Sequence, residues 1–323
     1  MKKWFLIAAA ALTAGGLFLM GGAFLAAGMD FSRFDTSRYE DKYYSVDEEF
    51  QNIDIQAGDA DVTLEYAEPR SVRTETAEVF CTEREKTAYS VRVENGTLTI
   101  SLDDQRKWYD YIAMFSKKMA VKVVLPLREY GTLKIRGETG DITVPGDFSF
   151  GRTDITASTG DIAYSASVRD DLNLKTSTGN IGIRDLSAGA IGMSVSTGKV
   201  TAESVSCEGE VSVRVSTGRT ELSRLTCANL SSEGDTGRIT LSHVDASGSF
   251  DITRSTGNVS FESCDADSIS VSTSTGNVTG TLRSEKIFFA KTSTGSVHVP
   301  ECMTGGRCDI KTSTGNIDIE IAG

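Results

Sequence analysis

Cysteine and histidine are the residue types in this sequence with the widest range of chemistry. The six cysteines are Cys81, Cys207, Cys227, Cys264, Cys302 and Cys308. Their spacing contains no C-x-x-C pair and matches no zinc motif. The two histidines, His243 and His298, have no serine or cysteine nucleophile motif to pair with. The sequence therefore predicts no metal site, no cofactor and no catalytic residue.

Aspartates could instead form the pair of carboxylates with which enzymes cleave polysaccharides, at separations of about 5–9.5 Å. Asp154, Asp251 and Asp309 share one position of the repeat described below, but they fall several repeat units apart. Asp245 and Asp265 occupy equivalent positions in adjacent units. Two acids so placed, without a third group, are more typical of a solvated edge than of an active site.

A short aromatic and basic stretch, residues 106–118, is the strongest candidate for contacting a partner. It reads RKWYDYIAMFSKK in a chain with only 8% aromatic residues. The candidate interaction patch consists of Trp108, Tyr109, Tyr111, Phe115, Lys117 and Lys118. Aromatic side chains beside cations suit a protein interface or a membrane interface. The alternative is that the stretch folds back into a buried core, because scattered apolar residues are usually buried.

A repeat of 19 or 20 residues sets the spacing of the turns and apolar residues in most of the remaining sequence. Each unit contains a Thr-Gly pair, and its turn-forming glycines are Gly140, Gly160, Gly179, Gly198, Gly218, Gly237, Gly257, Gly276, Gly295 and Gly315. Apolar residues recur two and four positions after the glycine and five and seven before it. They alternate with polar residues, which is the pattern of a strand with one buried face. No unit contains a run with helical periodicity.

Stacking is the way in which such units can bury their apolar columns, since one unit alone exposes them. The sequence therefore predicts an all-β fold, a β-solenoid resembling a parallel β-helix, with about ten coils spaced by about 4.8 Å. Cys207 and Cys227 occupy equivalent positions on adjacent coils, within the Cα range of a disulfide. Parallel stacked side chains disfavour the disulfide dihedral, so whether these two are ever bonded stays open.

The chain divides into four predicted segments. Residues 1–29 form a signal-anchor transmembrane helix, because positions 4–29 are uncharged and exceed the apolar run of a cleaved signal peptide. Lys2 and Lys3 place the N-terminus in the cytoplasm and residues 30–323 outside. Residues 30–44 are a tether, residues 45–135 a β-rich cap, and residues 136–323 the solenoid. Cleavage of the N-terminal segment remains the alternative.

The C-terminal coil is expected to present an unpaired edge. The sequence stops at Gly323, directly after Ile317, Ile319 and Ile321, with nothing following that could form a cap. An unpaired edge is a template for association. We therefore expect self-association through this coil.

Turns such as Ser158-Thr159-Gly160-Asp161-Ile162 carry a family likeness. Together with Ile55–Val62 and Val124–Leu127 they resemble the bacterial putative-adhesin domain, over about residues 45–323. That resemblance implies a β-solenoid at the cell surface, often joined to one membrane helix and sometimes linked to envelope stress responses. The family has no established biochemical function and supplies no catalytic residues.

The net charge is −12, which argues against nucleic acid as a partner because such binding depends on Lys and Arg contacts. The leading prediction is a non-catalytic, membrane-anchored protein of the bacterial envelope that binds an unknown surface protein or glycan. One alternative is an enzyme that acts on polysaccharide from a β-helix scaffold. Another is a component of an envelope-stress sensor, which would need a membrane or cytoplasmic partner.

Overall fold

The computed structural model describes residues 38–67, 76–106 and 118–322, together with residues 5, 12–16, 18–19, 21–22 and 25–26 near the N-terminus. The strands are β1 Tyr39–Val46, β2 Asn52–Gly58, β3 Asp61–Tyr66, β4 Ala77–Arg84, β5 Thr87–Glu94, β6 Thr97–Asp104, β7 Ala120–Leu125, β8 Glu129–Thr139, β9 Ile142–Val144, β10 Ser149–Thr159, β11 Ile162–Tyr164, β12 Ser167–Thr178, β13 Ile181–Cys207, β14 Glu210–Cys227, β15 Asn229–Thr236, β16 Ile239–Thr256, β17 Val259–Thr275, β18 Val278–Leu282, β19 Lys286–Thr294, β20 Val297–His298, β21 Gly306–Thr314 and β22 Ile317–Ile321.

Strands from successive units stack in parallel and in register. Ile155 pairs with Leu174, Leu174 with Met193, and Met193 with Val213, each step moving one repeat along the chain. The strand segments before the Thr-Gly turns form one sheet, here called the leading sheet. The segments after the turns form a second sheet, here called the trailing sheet. The predicted all-β β-solenoid of about ten turns is confirmed.

The turn glycines allow neighbouring coils to approach closely. Nine of the ten have positive φ, from 132° at Gly160 to 158° at Gly276. A Cβ on Gly218 would overlap the carbonyl oxygen of Gly198 in the coil below. Thr hydroxyls beside the turns bond the same carbonyl row: Thr176 Oγ1 donates to the carbonyl of Gly160 at 3.2 Å, and Thr312 Oγ1 to that of Gly276 at 3.1 Å.

A second corner lies six residues after the glycine in five consecutive coils. Its residues have left-handed backbone conformations with φ between 49° and 54°. They are Asp185, Ser204, Arg224, His243 and Ser263. The apolar columns on both sides of this corner continue into one core that runs the length of the solenoid.

At the N-terminal end, cap strands extend both sheets instead of forming a separate layer. β2 lies between β6 and β8, and β3 lies between β7 and β9. The outermost strands, β5 and β1, pair antiparallel with β6 and β4. β1 begins at Tyr39, inside the segment predicted as a tether, so the ordered cap starts earlier than expected.

At the C-terminal end, the last coil in sequence is not the last in space. β21 lies between β17 and β19, and β22 lies between β18 and β20. Ile317 and Ile319 are buried, and Ile321 is half-buried. The prediction of an open edge at Ile317, Ile319 and Ile321 is therefore wrong, because the chain folds back and inserts this coil between two others. The coil of Gly295 is outermost.

The described positions within residues 1–29 are helical. No helix among the described residues is long and apolar enough to cross a membrane. The membrane anchor stays a prediction.

Candidate interaction surface

A shallow trough crosses the outer face of the leading sheet. It spans four coils, from that of Gly160 to that of Gly218, and has a volume of about 350 Å³. The side chains that line it stand four and six residues before the turn glycines, where strand alternation points them away from the core. They include Asp154, Thr156, Asn173, Lys175, Ser194, Ser212 and Arg214.

Small residues on one coil create the trough. Gly192 and Ser194 lie between the longer side chains of Asn173 and Lys175 on one side and Arg214 on the other. A Cβ on Gly192 would lie 2.8 Å from Asn173 Oδ1, so any larger residue there would displace that amide. The result is a polar depression with donors, acceptors and both signs of charge. An extended polar molecule could bond to several coils at once.

The stacked Thr-Gly turns form one edge of the solenoid, here called the turn edge. This edge carries a ladder of aspartate and asparagine side chains one position after the glycine. Asp141 Oδ1 accepts from the backbone N–H of Asp161 at 2.9 Å, and Asp161 Oδ1 accepts from that of Asn180 at 2.8 Å. The ladder begins in the cap, where Asp61 Oδ1 accepts from the N–H of Asp141 at 2.8 Å. The bond from Asp161, followed by that from Lys118, lowers the pKa of Asp141 despite partial burial.

Near the other end, asparagines continue the ladder in spatial rather than sequence order. Asn277 Oδ1 accepts from the N–H of Asn316 at 2.8 Å, and Asn316 Oδ1 accepts from that of Ser296 at 3.0 Å. Lys199, Arg219 and Arg238 hold this position on three intervening coils. The edge is thus acidic near the cap, basic in the middle and neutral near β19.

The Toastrack DUF4097 family model matches residues 50–214. The chain belongs to the Toastrack family. This confirms the predicted relationship to a putative-adhesin β-solenoid family. No curated protein matches the chain.

Several solved structures are similar to this Toastrack chain. A putative adhesin from Parabacteroides distasonis ATCC 8503 is 14% identical, with a TM-score of 0.44, over 87% of this chain and 97% of that one. A structure named as a putative lipid binding protein from the same organism is 15% identical, with a TM-score of 0.47, over 88% and 97%. A putative adhesin from Bacteroides fragilis NCTC 9343 is 15% identical, with a TM-score of 0.43, over the same shares.

Five of the six cysteines of this Toastrack chain lie in its interior. All six are free, and Cys302 is the one that is not fully buried. Burial raises the pKa of the Cys81, Cys227 and Cys308 thiols to about 12. Cys207 and Cys227 lie on adjacent coils without a disulfide. A high pKa keeps these thiols protonated, which suits packing and not nucleophilic attack.

His243 has a hydroxyl neighbour. Ser242 Oγ lies 3.0 Å from His243 Nδ1 and donates to Glu262 Oε2 at 2.8 Å. A serine hydroxyl has one proton, and here the carboxylate accepts it. In a catalytic triad the histidine takes that proton and the acid orients the histidine. This exposed trio therefore lacks the order needed for nucleophilic catalysis.

Of the predicted aromatic and basic patch, Trp108, Tyr109, Tyr111, Phe115 and Lys117 lie outside the described residues. Lys118 forms ion pairs with Asp61 at 3.2 Å and Asp141 at 3.3 Å. On the other flank, Arg106 binds Asp59 at 2.7 Å and Asp104 at 2.6 Å. Both flanks are thus fixed at the turn edge, between a leading strand and a trailing strand.

A buried arginine was missed by the sequence analysis. Arg254 points inward, is 1% exposed, and donates from Nη1 to the carbonyl of Val215 at 2.8 Å. Burial lowers its pKa. Gly234 leaves the space for its guanidinium, and Thr220 replaces an apolar residue beside it. These coordinated breaks in the apolar columns were the available signal.

Proposed function

We propose that this Toastrack chain is a non-catalytic binding protein of the bacterial envelope, tethered to the membrane through residues 1–29. The observation that carries the proposal is the polar trough across four coils of the leading sheet. Each coil contributes two outward positions, and successive coils repeat at about 4.8 Å. Mixed donors and acceptors at that spacing suit the hydroxyl groups of an extended wall polysaccharide.

The tether rests on the sequence of residues 1–29. Positions 4–29 contain no charge, and Lys2 and Lys3 precede them. That arrangement favours a helix with its N-terminus in the cytoplasm. The solenoid would then lie outside the membrane, with its cap nearest to the lipid and the coil of Gly295 farthest away.

The stacked carboxylates on the trailing sheet favour binding over hydrolysis. Asp245 and Asp265 are register partners on adjacent coils. Each is held in an ion pair, Asp245 with Arg283 and Asp265 with Lys286, the latter at 2.7 Å. Hydrogen bonds from Lys286 and Ser284 outweigh the effect of burial and lower the pKa of Asp265. A carboxyl held ionised in this way is a poor general acid for glycosidic cleavage.

Binding of purified bacterial cell-wall polysaccharide to the full chain in lipid vesicles tests the proposal. Ser194→Tyr fills the trough and is expected to raise the dissociation constant at least about tenfold, equivalent to about 1.4 kcal/mol. Ser272→Tyr is the matched control, because Ser272 has the same repeat position on a coil outside the trough. Equal affinity of both variants and the wild type for the polysaccharide would reject the trough as the binding site. New reducing ends released from the polysaccharide would instead establish an enzyme.

A further inference from the structure

The outermost coil at the C-terminal end presents an open strand edge. β19 pairs with β21 on one side, and no strand of the described residues pairs with its other side. Phe289 is 50% exposed and Ile287 38% exposed. The inward side chains Phe288 and Ala290 are only half-buried, because no further coil of the described part of the chain covers them. The end of the rod therefore combines unpaired backbone groups with apolar surface.

The usual protections against edge pairing are unevenly distributed between the two ends. Charged side chains and proline blunt natural edge strands. At the cap end, β1 carries Glu40, Asp41 and Lys42. At the other end, Pro300 follows shortly after β20, so that strand is only two residues long. β19 has nine residues and no proline.

The charges on β19 also leave its edge open. Lys286 points inward and is used within the molecule, since its Nζ lies 2.7 Å from Asp265 and its side chain is 4% exposed. Lys291 is the one exposed charge of the strand. The inward residues Phe288, Ala290 and Thr292 are uncharged. β19 thus has little that would prevent it from pairing with another strand.

We propose that β19 pairs antiparallel with β19 of a second copy of this chain, across a two-fold axis. Strand alternation requires the axis to pass between one residue and the same residue of the second copy. Only then do the inward side chains of both strands lie on the same face of the joined sheet. An axis at Ala290 allows all nine residues of β19 to pair with the second copy. An axis at Lys291 would oppose two lysines and is excluded.

The register about Ala290 places no two charged residues opposite each other and places each Lys291 opposite an aromatic ring. Lys291 lies opposite Phe289 of the second copy, and Thr292 opposite Phe288 of the second copy, each contact occurring twice. A lysine ammonium beside an aromatic ring is favourable. On the other side of Phe289, Arg307 already lies 4.7 Å from the ring centre and is neutralised by Asp309. The axis therefore creates no uncompensated like-charge contact.

End-to-end pairing places the two caps at opposite ends of a double-length rod. From β6 to β19 the leading sheet takes eleven steps, or about 53 Å at about 4.8 Å per step. If the membrane tether of the proposed function holds, the two N-terminal segments insert in different, facing membranes. The partner for adhesion would then be a second copy of this chain on an apposed surface.

Sedimentation equilibrium of the full chain in detergent micelles tests the self-pairing. The wild type is expected to form dimers. Phe289→Lys places a lysine opposite Lys291 of the second copy, twice, and is expected to raise the dimer dissociation constant about tenfold. Phe289→Lys with Lys291→Glu replaces both repulsive contacts with attractive ones and is expected to restore the dimer. Ser270→Lys is the control, since Ser270 has the same repeat position on an interior coil.

A wild type that stays monomeric, or a Phe289→Lys variant that dimerises like the wild type, would overturn the proposal. Circular dichroism of each variant shows whether its β structure is retained. Clustering of vesicles that carry the full chain tests the tether separately. Dimers in micelles without clustering of vesicles would support self-pairing and reject facing membranes. If Ser194→Tyr loses polysaccharide binding but still dimerises, polysaccharide binding in the trough and dimerisation through β19 are independent.

Discussion

Gly218 shows what a single residue contributes to the stack. Its φ of 149° is favourable for glycine alone, and a Cβ would overlap the carbonyl of Gly198. We expect Gly218→Ala to lower the free energy of unfolding by at least about 1–3 kcal/mol, the cost of a strained backbone. Urea denaturation measures this. Gly146→Ala is the control, since its Cβ would lie 3.6 Å from the nearest atom, and about 0.5 kcal/mol is expected. Equal losses would contradict close stacking of the turns.

The buried thiols predict how stability depends on pH. The pKa of Cys81, Cys227 and Cys308 is raised to about 12 from 9.0 by burial, so thiolates form more easily in the unfolded chain. Their contribution to stability is therefore complete below pH 9 and is lost as the pH rises toward 12. Denaturation at pH 7.5, 9 and 10.5 is expected to show a falling free energy of unfolding.

A variant comparison assigns that pH effect. Cys227→Ser is expected to flatten the decline above pH 9, whereas Cys302→Ser, at the half-buried cysteine, serves as the control. A decline that is equally steep in the wild type and Cys227→Ser would show that other groups cause it.

Sequence reasoning at this scale found the residues that follow the repeat. The turn glycines and inward columns were visible because glycine and period-two alternation leave a direct trace. The second corner was not visible, since residues as different as Asp185 and His243 adopt its left-handed conformation. Arg254 was missed because its partners, the carbonyl of Val215 and the space over Gly234, lie two coils and one coil away, respectively.

Strand order is the feature of the elements that periodicity could not supply. Every coil offers nearly the same inward residues, so the repeat shows what each coil is without showing where it stacks. The coil of Gly315 fits on either side of that of Gly295. The fold-back at both ends is specific to the three-dimensional structure. It explains why the predicted edge at Ile317, Ile319 and Ile321 was wrong and why the open edge is β19.

Hydrogen exchange tests the strand order. β21 and β22 have paired strands on both sides, whereas β19 and β20 are paired on one side within the part of the chain that the structure describes. Amides in residues 306–321 are therefore expected to exchange more slowly than those in residues 286–298, measured by mass spectrometry at dilutions that keep the chain monomeric. Faster exchange in residues 306–321 would mean that the coils stack in sequence order.

At the scale of the whole molecule, one column of outward residues runs from cap to tip. It passes through Gln56 in β2, Lys311 in β21 and Lys291 in β19, with one residue from each strand between them. Gln56 and Lys291 are ten steps apart, and Gln56 and Lys311 are nine. This rod carries the trough on its side and the open edge at its tip, so both proposals depend on its length and order.

Pulsed electron spin resonance on the full chain tests the rod most directly. Spin labels are attached to Gln56→Cys paired with either Lys291→Cys or Lys311→Cys, with Cys302→Ser to remove the half-buried thiol. The stacked coils place the first pair about 48 Å apart and the second about 43 Å apart. A longer distance to position 311 than to position 291, or distances far below 40 Å in both, would contradict the stacked rod.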